Sequence, residues 1–284
     1  MGYEKMGDIL RDAHKNGYGV AALNCFHYES IKYAIDVAEE ERVPVIIMMY
    51  PSFRSHIPIT TFAAITKDLA FKARVPVALH LDHCDSYELL LESIHAGFPS
   101  VLIDASHFDY ETNVRMTKEV SRAAHAMGCE VEGELGHVGS GSNADDFTDK
   151  GKYTDPDQAV DYIREADVDF LAVAIGNGHG KYIVEPKIDV ELVKKLRTKV
   201  DIPMVMHGGS GIPDDQLAAC VRYGVVKYNF GTNFNQAFYD GTVAAINSPE
   251  ARSSGLWLEG ALAPTVKEVL RGHMRAINPD AKHV

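Results

Sequence analysis

Short apolar runs alternate with amphipathic segments from one end of the chain to the other. Runs near 19–24, 43–49, 75–80, 100–104, 129–133, 169–175, 202–206 and 225–230 predict eight strands. Between them, helical periodicity covers Glu29–Glu41, Thr60–Arg74, Tyr87–Ala96, Asn113–Met127, Pro156–Ala166, Val190–Lys199 and Asp214–Tyr223. Several of these open with helix-start chemistry: Ser86 precedes Tyr87, and Thr154-Asp155 precedes a proline at the first helical position. Others end just before a glycine, at Gly97, Gly128 and Gly224. A segment near 3–16 reads as an extra helix across one end of the sheet, and 258–275 as the last helix.

Eight consecutive β-α units within 284 residues predict the α/β class, a single (β/α)8 TIM barrel over 1–284 with an extra N-terminal helix. A doubly wound open sheet competes, but it would carry fewer strands or a second domain, and no linker or compositional break divides the chain. The long irregular stretch 136–153, rich in glycine, serine and aspartate, follows the fifth strand and has the composition of a mobile active-site loop.

Composition narrows the partners. The net charge is −12, the pI is near 5.5, and no Lys/Arg block interrupts the acidity, so no nucleic-acid or anionic-membrane surface is expected. An anionic substrate would then need a local electropositive site. Cys25, Cys84, Cys129 and Cys220 are scattered without a C-x-x-C pair, which fits reduced thiols. The charged N-terminus lacks the apolar core of a signal peptide, and no run approaches membrane-helix length. A cytoplasmic, soluble protein is expected.

The chemistry lies where the strands end. Their carboxyl ends present Asn24, then Tyr50 and Ser52, Asp82 and His83, Asp104, Glu134, His179, His207 and Asn229. Buried charge without partners costs several kcal/mol, so a barrel built only for stability has no reason to collect these groups. Any one of these histidines alone could be a packed or exposed side chain. Together, His83, His179 and His207 read as three neutral nitrogen ligands leaving one metal position open. Zinc is the first choice, with cobalt, manganese or iron as alternatives. Asp104 and Glu134 read as partners of the imidazoles, ligands of an alternative metal position, or members of a structural ion pair. His80, two residues before Asp82, is expected to pack against that carboxylate or orient it. H-G-G-S-G at 207–211 and N-F-G-T at 229–232 follow the last two strands, a frequent phosphate position in barrels. Gly208, Gly209, Ser210, Asn229, Gly231 and Thr232 are the candidates there, and two plain tight turns are the alternative.

These motifs together resemble the class II, metal-dependent ketose-bisphosphate aldolases, the fructose- and tagatose-bisphosphate aldolase family. The resemblance runs from N-C-F-H at 24–27 through H-L-D-H, H-F-D-Y-E-T-N-V-R-M-T-K-E-V, V-E-G-E-L-G-H-V-G, Y-T-D-P and A-V-A-I-G-N-G-H-G. It continues through E-P-K-I-D, H-G-G-S-G-I-P and V-K-Y-N-F-G-T. It implies that His83, His179 and His207 bind zinc and that Asp82 is the acid/base for the C4 hydroxyl. Gly180, Gly208, Gly209, Ser210, Asn229 and Thr232 would hold the phosphate of a dihydroxyacetone-phosphate moiety, beside a monovalent cation. The family also implies a sugar-phosphate substrate and a homodimer or homotetramer.

Three departures point to a ketose phosphate other than fructose 1,6-bisphosphate. The paired glutamates that such aldolases carry soon after E-L-G are replaced by G-H-V-G-S-G-S, leaving Asp145 and Asp146 to supply the second acid/base from a closing loop. N-F-G-T-N stands where N-I-D-T-D is usual, so Gly231 and Asn233 replace two aspartates. The second strand ends Y-P-S-F-R-S-H, placing Arg54 or His56 to meet an unusual acceptor end, such as a carboxylate. Other classes remain open: a Schiff-base aldolase on Lys227, a metal-dependent barrel hydrolase, and a non-catalytic phosphosugar-binding relic.

Overall fold

In the computed structural model, residues 2–246 and 254–281 are described. Eight parallel strands close into a barrel: β1 (Val20–Asn24), β2 (Val45–Met49), β3 (Val77–Cys84), β4 (Ser100–Ile103), β5 (Glu130–Leu135), β7 (Phe170–Val173), β9 (Met204–Met206) and β10 (Val225–Phe230). β10 pairs with β1, with Lys227 opposite Val20 and Phe230 opposite Leu23, which closes the ring. Two further two-residue strands, β6 (Gly139–Ser140) and β8 (Gly178–His179), pair in parallel above the barrel. The expected (β/α)8 barrel is therefore the fold.

The helices are α1 (Met6–Asn16), α2 (Tyr28–Glu41), α3 (Ile59–Lys72), α4 (Tyr87–Ala96), α5 (Tyr110–Ala126), α6 (Ala144–Thr148), α7 (Pro156–Ala166), α8 (Val190–Arg197), α9 (Asp214–Val221), α10 (Thr232–Ile246) and α11 (Gly255–Ile277). Their starts follow the chemistry read from the chain. Ser86 caps α4 by accepting from the Leu89 amide, and Asp155 caps α7 ahead of Pro156. α1 has no capping side chain of its own at Lys5; instead the Glu130 carboxylate, from the start of β5, accepts from the Gly7 amide at 2.8 Å. That contact docks α1 across the amino end of the barrel. Met6, Ile9, Leu10 and Ala13 pack there on the inward residues Val20, Ala22, Ile46, Ala78, Phe170, Ala172, Val205 and Val226. With its amino end plugged by apolar side chains, the barrel offers polar chemistry only toward the carboxyl ends of its strands.

One region differs from the sequence expectation, and another lies where the periodicity gave none. Residues 136–153 are not irregular throughout, since they hold β6, α6 and a short 3-10 turn at Lys150–Lys152. The segment after β10 forms a full helix, α10, whose Phe234, Ala237, Phe238 and Ala245 are buried. α10 lies close on α11, where a Cβ at Gly241 would come within 3.0 Å of Leu262.

Candidate active site

Asp82 and His83 are adjacent on one strand, and an ideal strand would turn them to opposite faces. β3 avoids this with a register shift against β4: Leu81 pairs with Val101, but Cys84 pairs with Ile103. Three residue steps on β3 therefore span two on β4, and His83 absorbs the extra residue at φ 37°. A bulge of this kind re-aims side chains, and here both Asp82 and His83 face the same cavity.

The cavity, about 800 Å3, opens at the carboxyl ends of the strands. Asn24, Ser52, Asp82, His83, Asp104, Asp146, His179, Gly180, Gly208, Ser210, Asn229, Gly231 and Thr232 all line it. His207 and Glu134 are fully buried beneath, in contact with that lining. Four expected residues are placed elsewhere. Asp145 is exposed and outside the cavity, as are Arg54 and His56, because the turn after β2 directs them to solvent. Gly209 lies behind the wall, its amide donating to the Asn229 carbonyl at 3.0 Å.

The three imidazoles share one construction. One ring nitrogen of each is anchored: His83 Nδ1 on Asp104 Oδ2 at 2.9 Å, His207 Nε2 on Glu132 Oε1 at 2.8 Å, and His179 Nδ1 on the Val138 carbonyl at 3.2 Å. The anchors fix the tautomers, so the other nitrogens turn lone pairs toward one point. These atoms lie within 4.8 Å of one another. His179 reaches the site from a loop rather than a barrel strand, and the β6–β8 pairing holds it there through Ser140 opposite His179. Gly208 permits that approach, because a Cβ on it would fall 2.0 Å from the Gly178 carbonyl oxygen.

The electrostatics agree with this construction. Burial, then the charge of His83, hold His179 and His207 well below the ordinary histidine value and keep them neutral. Burial also pulls on His83, but Asp82, Asp104 and Glu134 around it reverse the effect and raise it to about 9. The buried Glu134 carboxyl rises to about 8, with Asp104 adding to the effect of burial. His83 Nε2 and His207 Nδ1 are 2.7 Å apart, a distance at which two lone pairs need a cation or a proton between them. The buried His179 Nε2 and Glu134 Oε2 have no hydrogen-bond partner. Convergent imidazole nitrogens with unpartnered buried donors of this kind fit a divalent metal.

Asp82 is 1% exposed, and its carboxylate is gripped by two amides: Asn24 Nδ2 on Oδ2 at 2.8 Å and Asn229 Nδ2 on Oδ1 at 3.1 Å. Burial opposes its ionisation, but the His83 charge, then that of Lys227 and the Asn24 hydrogen bond, outweigh it and lower its pKa. His80 does not orient it. The His80 ring instead bonds to Ser100 Oγ at 2.8 Å and faces Glu132. Lys227 is fully buried, with Nζ 2.9 Å from Glu132 Oε2 in an ion pair that lacks hydrogen-bond geometry. Committed below His207 and absent from the cavity wall, it is poorly placed for a Schiff base. Sequence reasoning overlooked Glu132; its only signal was shared strand parity with Glu134.

The remaining cavity features are a glycine turn and a helix start. Thr232 is the first residue of α10, and the Asn233 amide reaches Ser210 Oγ at 3.3 Å. Gly208, Ser210, Gly231 and Thr232 thus border a helix N-terminus, an arrangement suited to an anion.

The class II fructose-bisphosphate aldolase family model matches residues 4–282. The chain belongs to this aldolase family. The aldolase is 36% identical over 271 residues to the Escherichia coli (strain K12) protein YdjI, a match covering 95% of this chain and 96% of that protein. The crystal structure of the YdjI aldolase superposes with a TM-score of 0.87 at 34% identity, covering 99% of this chain and all of that one. A fructose-bisphosphate aldolase from Campylobacter jejuni shares the fold, with a TM-score of 0.83, 22% identity and coverage of 99% and 97% of the two chains. No helix among the described residues of the aldolase is long and apolar enough to cross a membrane.

Proposed function

We propose that this aldolase uses one divalent metal ion to cleave a ketose phosphate, other than fructose 1,6-bisphosphate, into dihydroxyacetone phosphate and an aldehyde. The observation that carries the reading is the convergence of His83, His179 and His207, each with its second nitrogen anchored. Three imidazoles favour zinc, with cobalt or manganese able to substitute. A cation held there supplies Lewis acidity toward the oxygens of the ketose.

The protein's own groups do the rest. Asp82 accepts the proton of the C4 hydroxyl, the C3–C4 bond breaks, and its electron pair moves toward the C2 carbonyl. The aldehyde leaves, and a second group returns a proton to C3. The buried Oδ1 atoms of Asn24 and Asn229 have no partner, so they are acceptors for substrate hydroxyls, while their Nδ2 atoms hold Asp82. Gly180, Gly208, Ser210, Gly231 and Thr232, at the start of α10, receive the phosphate. Ser52 and the turn after β2 face the aldehyde end.

The test is release of dihydroxyacetone phosphate from a panel of ketose phosphates by metal-loaded protein, with condensation of that product onto varied aldehydes as the reverse assay. At least one ketose phosphate should exceed fructose 1,6-bisphosphate by tenfold or more in kcat/KM. Fully loaded protein that releases dihydroxyacetone phosphate from none of them overturns the proposal.

The amide clamp gives a smaller prediction. Asn24→Ala removes one hydrogen bond to a charged carboxylate, worth about 1.5 kcal/mol, and should lower kcat about tenfold. The amide favours the ionised form of Asp82, so its loss should also move the acid limb of the kcat profile to higher pH. A profile and rate equal to wild type would show that Asn229 suffices.

A further inference from the structure

Of the titratable side chains in the loop after β5, only His137 and Asp146 line the cavity, and Asp145 is the acidic neighbour of the second. Asp145 is exposed and outside the cavity. Asp146 lines the cavity, but both its oxygens are engaged: Oδ2 accepts from the Ser140 amide at 2.7 Å, and Oδ1 pairs with Lys152. This carboxylate pins β6 to the 3-10 turn. The Lys152 ion pair, then the Ser140 amide, hold it in its charged, acceptor-only form. His137 also lines the cavity and is half-buried, and its backbone N–H donates to the Lys152 carbonyl at 2.8 Å.

The side chain of His137 ends a chain of contacts that begins at a candidate metal ligand. His83 Nδ1 meets Asp104 Oδ2 at 2.9 Å, Ser106 Oγ donates to Asp104 Oδ1 at 2.9 Å, and His137 Nδ1 lies 3.5 Å from Ser106 Oγ. The Ser106 proton is committed to Asp104, so its oxygen is left to accept, and His137 must hold its own proton on Nδ1 to use it. The lone pair then falls on Nε2. The contact is long, as catalytic hydrogen bonds often are before substrate tightens them. The neighbouring His107 also borders the cavity but is exposed, and its ring packs on Phe108.

We propose that His137, rather than either loop aspartate, exchanges the proton at C3. The inference rests on the aldolase reading above. In the cleavage direction, His137 as imidazolium gives its Nε2 proton to C3 as the electron pair of the enediolate returns to that carbon, and neutral imidazole remains. In the synthetic direction, Nε2 takes the proton from the hydroxymethyl carbon of dihydroxyacetone phosphate. The C–H electron pair then forms the C2–C3 double bond as the π pair of the C2 carbonyl moves onto its oxygen. Ser106 is a positioning residue that acts through His137.

The experiment follows deuterium exchange into dihydroxyacetone phosphate alone, by proton NMR in D2O with metal-loaded protein. His137→Ala should lose at least about 10²-fold in exchange rate at unchanged metal content, and free imidazole should restore part of the loss. Asp145→Ala should exchange within threefold of wild type. An independent readout, which needs no turnover, is the nitrogen NMR of labelled imidazoles: His137 should show the Nδ1–H tautomer, and Ser106→Ala should abolish that preference. Parent-rate exchange in His137→Ala, a loss without imidazole rescue, an Asp145→Ala defect as large as that of His137→Ala, or an Nε2–H tautomer each overturns the assignment. Wild-type protein that exchanges no proton removes the aldolase reading as well, so the two failures are distinguishable.

Discussion

Asp82→Ala should keep its metal and lose at least about 10²-fold in kcat, the scale of a missing general acid/base. Asp82 adjoins His83 in sequence, yet neither of its oxygens turns to the imidazole nitrogens. Both are held by Asn24 and Asn229, which face them from β1 and β10. A carboxylate so held is ionised and correctly aimed before substrate arrives, which is where proton abstraction gains most. Truncation leaves two amides in a small polar space that a water can fill, so the barrel should still fold. The comparison to make is kcat for ketose phosphate cleavage against metal per chain. Metal lost in proportion to activity would move Asp82 into the ligand set and out of proton transfer.

The second large effect concerns the imidazoles. Replacing His83, His179 or His207 by alanine should drop bound metal from one ion per chain to a small fraction, and cleavage should fall below detection. In the proposed site the three anchored imidazoles act as a unit, and two of them could not complete it. Chelation of the wild-type protein should have the same outcome, reversed by zinc or cobalt. Uptake displaces the proton that Asp82, Asp104 and Glu134 favour on His83, so metal affinity should weaken as pH falls below about 9, the value they give that imidazole. Elemental analysis across pH, with activity measured on the same samples, tests both statements. Activity that survives chelation and is trapped by borohydride on Lys227 would restore the Schiff-base alternative.

Much of this site is legible in the chain because its parts are local. Apolar runs and helical spacing mark eight β-α units, since each strand or helix must bury a face whose period is its own. H-L-D-H and H-G-G-S-G then sit at strand ends by simple counting. Helix α10 escaped that counting: it opens on Thr232-Asn233 just after Gly231 and carries Gly241, which weaken its local helix signal. Its burial against α11 overrides the weak propensity.

The barrel, the strand-end residues and the resemblance to the class II aldolases can all be read along the chain. How those residues face one another follows from the closed ring. The bulge that turns both Asp82 and His83 inward exists only in the pairing of β3 with β4. The amide clamp on Asp82 joins residues 58 and 147 positions apart, and the Glu132 carboxylate meets His207 across 75. Asp145 and Asp146, neighbours in a loop, part company because Ser140 and Lys152 claim only one of them. Periodicity says which face a side chain takes within its own element. Hydrogen bonding between distant side chains depends on strand register and barrel closure, which are properties of the assembled ring.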